Sequence, residues 1–292
     1  MTLGIAFAGG GARGAAHLGV LQALEKNGIV ADCYAGTSAG SIIATMKALG
    51  KTNQECLDMA KEAGMYLIDI SYWDIMKSFP HKFSTLEGLA KGNEMKKYLS
   101  KHIGETSFLR NVKKPLSIVS TDINTGSQIV FSSMDFERRD LRRIDDKIKA
   151  YDRYTPLNLP NIVYASSSIP GVFQPITYNK MKLVDGSVTN NIPADLMKLM
   201  GCDKVIAINL TQRTPANNKV NGIFNILGQS AVTMIEQNEF LSLSNTENVI
   251  LLNPDMTDIG ILDFDKAMQA YQVGYEYGTK MIPDIKKKLE SN

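Results

Sequence analysis

The sequence predicts an α/β fold, and three stretches predict it. Leu3 to Ala8 is a short apolar run that leads at once into Gly9-Gly10-Gly11-Ala12-Arg13-Gly14 and then a helical pattern. Cys33-Tyr34-Ala35 leads into Gly36-Thr37-Ser38-Ala39-Gly40 and a second helical pattern. Lys204 to Leu210 reads as a buried strand of the parallel type. The strand, glycine turn, helix order, met twice, is the repeating unit of α/β proteins. The chain has 292 residues, 44% hydrophobic and 21% charged, enough for a sizeable core. With no internal repeat, low-complexity segment or linker, a single domain over 1–292 is expected.

Taken in order, the first helix runs from about Ala15 to Lys26, with Leu18, Leu21 and Leu24 on one side, and Gly28 stops it. Ser41 to Leu49 is helical and Gly50 closes it. Thr52-Asn53-Gln54-Glu55 is a capping box opening the next helix. Residues 59–83 are densely apolar without a clean period and hold the only tryptophan, Trp73. They fit either core or an acyl-chain pocket or lid, because methionines such as Met65 and Met76 adapt to flexible chains. Ser84-Thr85-Leu86-Glu87 is a second capping box, expected to open helices through about Ile103. Pro115 to Asp122 is a strand, Asn124-Thr125-Gly126 a turn, and Gln128 to Phe131 the returning strand. Residues 135–153, with Arg138, Arg139, Arg142 and Arg143, read as a solvated excursion, and a phosphate-facing role is the alternative. Ile162 to Gly171 contains a short helix ended by Pro170. Gln174–Tyr178 and Met181–Val184 form a hairpin around Asn179-Lys180. Pro193 starts a helix to about Met200. A polar loop over 211–221, a long helix to about Leu243, a strand at Asn248–Leu252 and a final helix at about Asp265–Leu289, bent near Pro283, complete the chain.

Two glycine turns carry the chemistry. Gly36-Thr37-Ser38-Ala39-Gly40 is G-x-S-x-G between a strand and a helix, the setting of a nucleophile elbow, with a plain turn as the alternative. The elbow would hold the Ser38 hydroxyl in the open at the positive end of a helix. The loop at residues 9–14 collects backbone N–H groups at another helix start, which suits an anion. Gly9, Gly11 and Gly14 satisfy the dinucleotide fingerprint, but Asp32, the only acid near the required distance, precedes the second strand instead of ending it. The competing reading makes the loop an oxyanion hole facing Ser38.

Ser38 needs a base. The histidines are His17, His81 and His102, and none follows Asp185, so the order serine, acid, histidine is absent. His17 lies on the face of Leu21 and Leu24 and reads as a packing residue. Asp185 ends a strand in a polar turn with Ser187, Asn190 and Asn191, and is either the base or a turn aspartate. An aspartate base gives up about 3.5 kcal/mol of proton-transfer drive relative to histidine. Each oxyanion donor supplies about 2.7–4 kcal/mol, so a glycine-loop hole can offset the loss.

Gly9-Gly10-Gly11-Ala12-Arg13-Gly14 with His17-Leu18-Gly19, Gly36-Thr37-Ser38-Ala39-Gly40, Ala165-Ser166 through Pro170, and Asp185-Gly186 resemble the four blocks of the patatin-like phospholipases, in their order. Thr121-Asp122 through Gly126 is similar to the family's strand-turn segment. The resemblance covers about residues 3–210. It implies a three-layer α/β/α sandwich with a mostly parallel central sheet, and lipid acyl-ester hydrolysis by a Ser-Asp dyad without a metal or other cofactor. Ser38 would be the nucleophile and Asp185 the general base; Gly9, Gly10, Gly11 and Arg13 would form or support the oxyanion hole; Gly14, Gly36, Gly40 and Gly186 would support the turns. The last block usually reads Asp-Gly-Gly or Asp-Gly-Ala, and Ser187 here brings an extra hydroxyl near Asp185. A non-catalytic lipid- or nucleotide-binding protein using the glycine loop, or an acyltransferase with the same dyad, are the alternatives.

The net charge of +2 lacks the basic field of a nucleic-acid binder. The partners expected are a phospholipid or other acyl-ester lipid, with transient peripheral membrane contact. Cys33, Cys56 and Cys202 are read as three buried thiols. The N-terminus lacks a basic n-region and no run is long enough to span a bilayer, so a cytoplasmic location is expected.

Overall fold

The computed structural model describes residues 1–67, 87–211, 222–244 and 246–291. Its strands are β1 (Leu3–Phe7), β2 (Cys33–Thr37), β3 (Gly88–Ala90), β4 (Leu116–Asp122), β5 (Ser127–Ser132), β6 (Lys149–Tyr151), β7 (Gly171–Phe173), β8 (Ile176–Tyr178), β9 (Met181–Asp185), β10 (Lys204–Ile208) and β11 (Val249–Leu252). The main sheet runs β11-β10-β1-β2-β4-β5-β6. β11, β10, β1, β2 and β4 are mutually parallel. β5 returns antiparallel to β4, and β6 runs parallel to β5. β3 and β7 make a separate two-stranded sheet.

Alternation along the strands sends side chains to two faces. Ile5, Phe7 and Tyr34 join Leu18, Leu21 and Leu24 of the first helix (Ala15–Lys26) in one core cluster. Ala6, Ala8, Cys33 and Ala35 join Ala194 and Met197 of the helix Ala194–Leu199 in another, on the opposite face. Helices on both faces of a mostly parallel sheet make the three layers expected.

One feature of strand pairing positions the site. β5 occupies one edge of β4 over its whole length. The other edge is shared: β2 pairs with Leu116 to Val119, ending at Thr37↔Val119, and antiparallel β9 pairs with Ser120 to Asp122, ending at Ser120↔Asp185. The C-terminal ends of β2 and β9 therefore meet head to head along one strand.

The first helix packs against the final helix (Ala267–Glu290), backbone to backbone. A Cβ on Gly19 would lie 2.1 Å from the Tyr271 carbonyl oxygen, and one on Gly274 would lie 2.2 Å from that of Ala16. The final helix runs through Pro283 without a break.

The Thr52 capping box forms: Thr52 N–H donates to Glu55 Oε2 at 2.8 Å and Glu55 N–H donates to Thr52 Oγ1 at 3.2 Å. Two expectations need correction. The span 135–153 contains the helix Arg138–Ile144 and β6, which extends the sheet; three residues with an exposed lysine give too short a pattern to read. Gly88–Ala90 is a strand, and the following helix begins only at Asn93. Cys33, Cys56 and Cys202 are all buried, as expected; Cys33 and Cys202 lie together with Cα atoms 7.8 Å apart, beyond the ordinary reach of a disulfide. The apolar stretch 59–83 begins in the helix Asn53–Leu67, where Met59 is buried, and otherwise lies outside the described residues, as do most of the loop 211–221 and His81.

The Gly19–Gly274 crossing makes a direct prediction. Gly274→Ala is expected to destabilise the protein by about 1–3 kcal/mol, because backbone cannot move aside as a side chain can. Urea unfolding measures this, and an unchanged midpoint would count against the close crossing.

Candidate active site

Ser38 stands between β2 and the helix Ala39–Ala48 with φ 52° and ψ −126°, a conformation strained for a residue with a Cβ. Its N–H donates to Ser166 Oγ at 3.0 Å, and its carbonyl accepts from Ser41 N–H at 2.9 Å and Ser41 Oγ at 2.6 Å. The flanking glycines are required by contact. A Cβ on Gly36 would lie 2.4 Å from the Gly40 carbonyl oxygen, and one on Gly40 would lie 2.4 Å from that of Phe7. A Cβ on Gly14 would meet Ala39 Cβ at 2.8 Å, so the two glycine turns press together. Ser38 as a residue is 6% exposed.

Asp185, at the end of β9, is 2% exposed and its N–H donates to the Ser168 carbonyl at 2.9 Å. Oδ1 accepts from Ser187 N–H at 2.9 Å and from Ser187 Oγ at 2.8 Å, which is the extra hydroxyl the sequence flags. Burial pushes the carboxyl above the ordinary aspartate range; the Ser38 hydroxyl, then the Ser187 N–H and hydroxyl, pull the other way. Gly186 packs on β4, where a Cβ would meet the Val119 carbonyl oxygen at 2.3 Å.

The glycine loop lies against the serine: a Cβ on Gly9 would stand 3.2 Å from Ser38 Cβ. The Gly9 N–H is already committed, to Asn191 Oδ1 at 3.0 Å and the Asn191 carbonyl at 3.3 Å, so it is a brace and not a free donor. Ala12 N–H donates to Ile261 at 2.9 Å, and Arg13 N–H to Gly10 at 3.2 Å. Among the described residues the Gly10 and Gly11 N–H groups donate to no protein acceptor. Arg13 turns its guanidinium to the carbonyls of Ile259 (2.6 Å) and Leu210 (3.2 Å), which supports the loop from behind. Gly10 and Gly11 are thus the loop residues able to receive a negative oxygen.

Asp32 accepts from Leu3 N–H at 2.8 Å, at the ends of β1 and β2 opposite the glycine loop, so the dinucleotide reading loses its acidic partner. His17 is fully buried, packs edge-on to Phe7, and shares a 2.8 Å hydrogen bond between Nε2 and the Ala8 carbonyl. Burial holds its pKa down at about 4, so it is neutral, its Nε2–H donating. His102 pairs with Glu62 at 3.2 Å, away from the sheet end. Ser166 and Asn191 join the site through contacts the motifs do not specify; Ser166 lies in the third block, and Asn191 has only its polar turn as a signal.

The Patatin-like phospholipase profile matches residues 5–198. An uncharacterized NTE family protein of Mycobacterium bovis is 27% identical over 97% of this chain, and the chain covers 47% of it. The lysophospholipase NTE1 of Eremothecium gossypii is 26% identical over 98% of this chain, which covers 18% of it. The chain therefore spans less than half the length of these curated relatives. Among solved structures, VipD from Legionella pneumophila superposes with a TM-score of 0.53 at 16% identity, over 97% of this chain and 67% of that one.

One outcome follows from these electrostatics. His17 must stay neutral, so its contribution is complete above the unfolded value near 6.5 and is lost as pH falls toward about 4. Urea unfolding is expected to show a loss of about 3 kcal/mol across that interval, absent in a folded His17→Gln variant. Equal pH slopes for the two proteins would contradict the assignment.

Proposed function

The chain belongs to the patatin-like phospholipase family, and from that premise we propose that it is a serine lipid acyl hydrolase of the phospholipase A or lysophospholipase type. The observation that carries the reading is the strained Ser38 lying beside the buried Asp185 carboxylate, with no histidine among the described residues between them. Ser38 Oγ attacks the acyl carbonyl carbon as Asp185 removes its proton. The carbonyl oxygen takes up the electron pair and is received by the Gly10 and Gly11 N–H groups, with the positive end of the helix Ala39–Ala48 adding to their field. Collapse of that intermediate expels the alcohol, protonated by Asp185, and leaves an acyl-Ser38 ester. Asp185 then deprotonates a water that attacks the ester carbonyl; as the acyl–Oγ bond breaks, Asp185 returns the proton to Ser38 Oγ and the fatty acid leaves.

An aspartate raised by burial suits this work better than an ordinary one, because its basicity lies nearer the operating pH. Ser187 tempers the rise. The lipid substrate class is drawn from the family and from the relative named a lysophospholipase. No helix among the described residues is long and apolar enough to cross a membrane, and contact with lipid surfaces is proposed to be peripheral and transient.

A panel of phospholipid, lysophospholipid and simple esters, run on wild type, Ser38→Ala and Asp185→Asn, tests the proposal. Both variants are expected to lose about 10³-fold or more in kcat. Asp185→Asn is expected to unfold at a higher temperature than wild type at pH 8. The raised carboxyl contributes stability that is present below the unfolded pKa and lost as pH rises through the folded one. Turnover surviving in Ser38→Ala sinks the hydrolase reading. Tight lipid or nucleotide binding without turnover would replace it with a binding protein, and ester products formed with added alcohol or lysolipid would identify acyl transfer.

Ser187→Ala removes one donor from Asp185 and should raise its pKa. The acid limb of kcat/KM is expected to move to higher pH, with activity at pH 8 within about threefold of wild type. A limb that stays in place would show that another group sets it.

A further inference from the structure

Behind the glycine loop lies a buried carboxylate that the mechanism above does not use. Glu239, on the helix Ile223–Ser244, is 6% exposed. Oε1 accepts from Asn191 Nδ2 at 2.5 Å and Thr211 Oγ1 at 2.5 Å, and Oε2 accepts from Asn209 Nδ2 at 3.3 Å. Asn191 Nδ2 also donates to Thr211 Oγ1 at 3.1 Å. Two segments distant in sequence, at Asn191 and at Asn209–Thr211, therefore converge on one acidic side chain. All of these contacts are donors, the set an ionised carboxylate requires.

Burying a carboxylate is costly, and a glutamine could tie the same segments together more cheaply. What glutamine could not do is fix the direction of Asn191. An asparagine amide has a donor end and an acceptor end of nearly equal shape. A carboxylate oxygen only accepts, so Asn191 must offer it Nδ2 and turn Oδ1 the opposite way, to the Gly9 N–H 3.0 Å distant. A glutamine, with both ends of its own, permits the reversed amide, which would set an N–H against an N–H at Gly9.

We infer that Glu239 is a positioning residue for the oxyanion loop: it fixes the orientation of Asn191, which anchors Gly9 and so aims the Gly10 and Gly11 N–H groups at the oxygen that becomes negative when Ser38 attacks. The inference rests on the hydrolase reading for its catalytic meaning, while the brace itself is a property of the fold. Donors placed this way act on the transition state and not on the bound ester, so their misplacement lowers kcat and leaves KM in place.

Glu239→Gln and Glu239→Ala in the full chain test it, with Met234→Ser, on the exposed part of the same helix, as a control. Two readouts are taken: kcat and KM on p-nitrophenyl butyrate, and hydrogen–deuterium exchange of peptides spanning Gly9 to Gly14. Glu239→Gln is expected to lower kcat by about tenfold and Glu239→Ala by about 100-fold, with KM within about twofold. The Gly9 amide should exchange at least about tenfold faster in both. Met234→Ser should match wild type in every measurement. Folded Glu239 variants with wild-type kcat and unchanged Gly9 exchange overturn the inference. So does failure of both variants to fold, which would make the residue structural. A wild-type protein without esterase activity defeats the hydrolase reading alone, since Gly9 exchange still decides whether Glu239 holds the loop.

Discussion

The site depends on one edge of β4 being shared by two strands. β2 stops at Thr37 opposite Val119, and β9, running the other way, stops at Asp185 opposite Ser120. Two chain segments almost 150 residues apart thus deliver their last residues to adjacent rungs of the same ladder. The side chain that follows β2 is Ser38, and the one that closes β9 is Asp185. Strand register is specified tightly where both faces are buried, because a one-residue slip would send every side chain to the wrong face. The proposed nucleophile and its proposed base are therefore placed by strand pairing and not by a loop.

That placement has consequences for the backbone. For β2 to end beside β9 and still feed a helix, the chain must turn sharply, and Ser38 takes a strained conformation whose cost is of order 1–3 kcal/mol. The turn leaves no room for side chains at Gly36, Gly40 or Gly186, each of whose Cβ atoms would meet a carbonyl oxygen within 2.4 Å. Asp185 pays in desolvation, which its three donors only partly offset. The same burial that disfavours the charged carboxylate makes it a stronger base, so the destabilising and functional effects have one cause.

Much of this was legible in the sequence because it is local. A strand, a glycine turn and a helix follow one another within about fifteen residues, and both such units form with nearly the expected bounds. Asp185 was legible because a strand ends there in a polar turn. The direction of individual N–H groups was not. The glycine motif marks Gly9, Gly10 and Gly11 alike, yet Gly9 is turned to Asn191, 182 residues away, and Arg13 is turned to the back of the loop. β6 escaped for the opposite reason, being too short and charged to carry a period.

The loop proposed to receive the substrate oxygen is held largely by chain beyond the matched span, which ends at residue 198. Leu210 and Ile259 supply the carbonyls that Arg13 grips, and Ile261 supplies the one that takes the Ala12 N–H. Glu239 reaches the loop through Asn191, and the final helix presses its backbone on the helix that the loop opens. A glycine-rich loop has little stiffness of its own, because its residues lose the most freedom on ordering. An oxyanion hole is useful only if its donors need no reorganisation when charge appears. The rigidity the motif lacks must therefore come from neighbours, and here the last third of the chain provides it. Variation in that region would then tune catalysis without touching any motif residue, which is why the four blocks identify the chemistry but do not by themselves fix its rate.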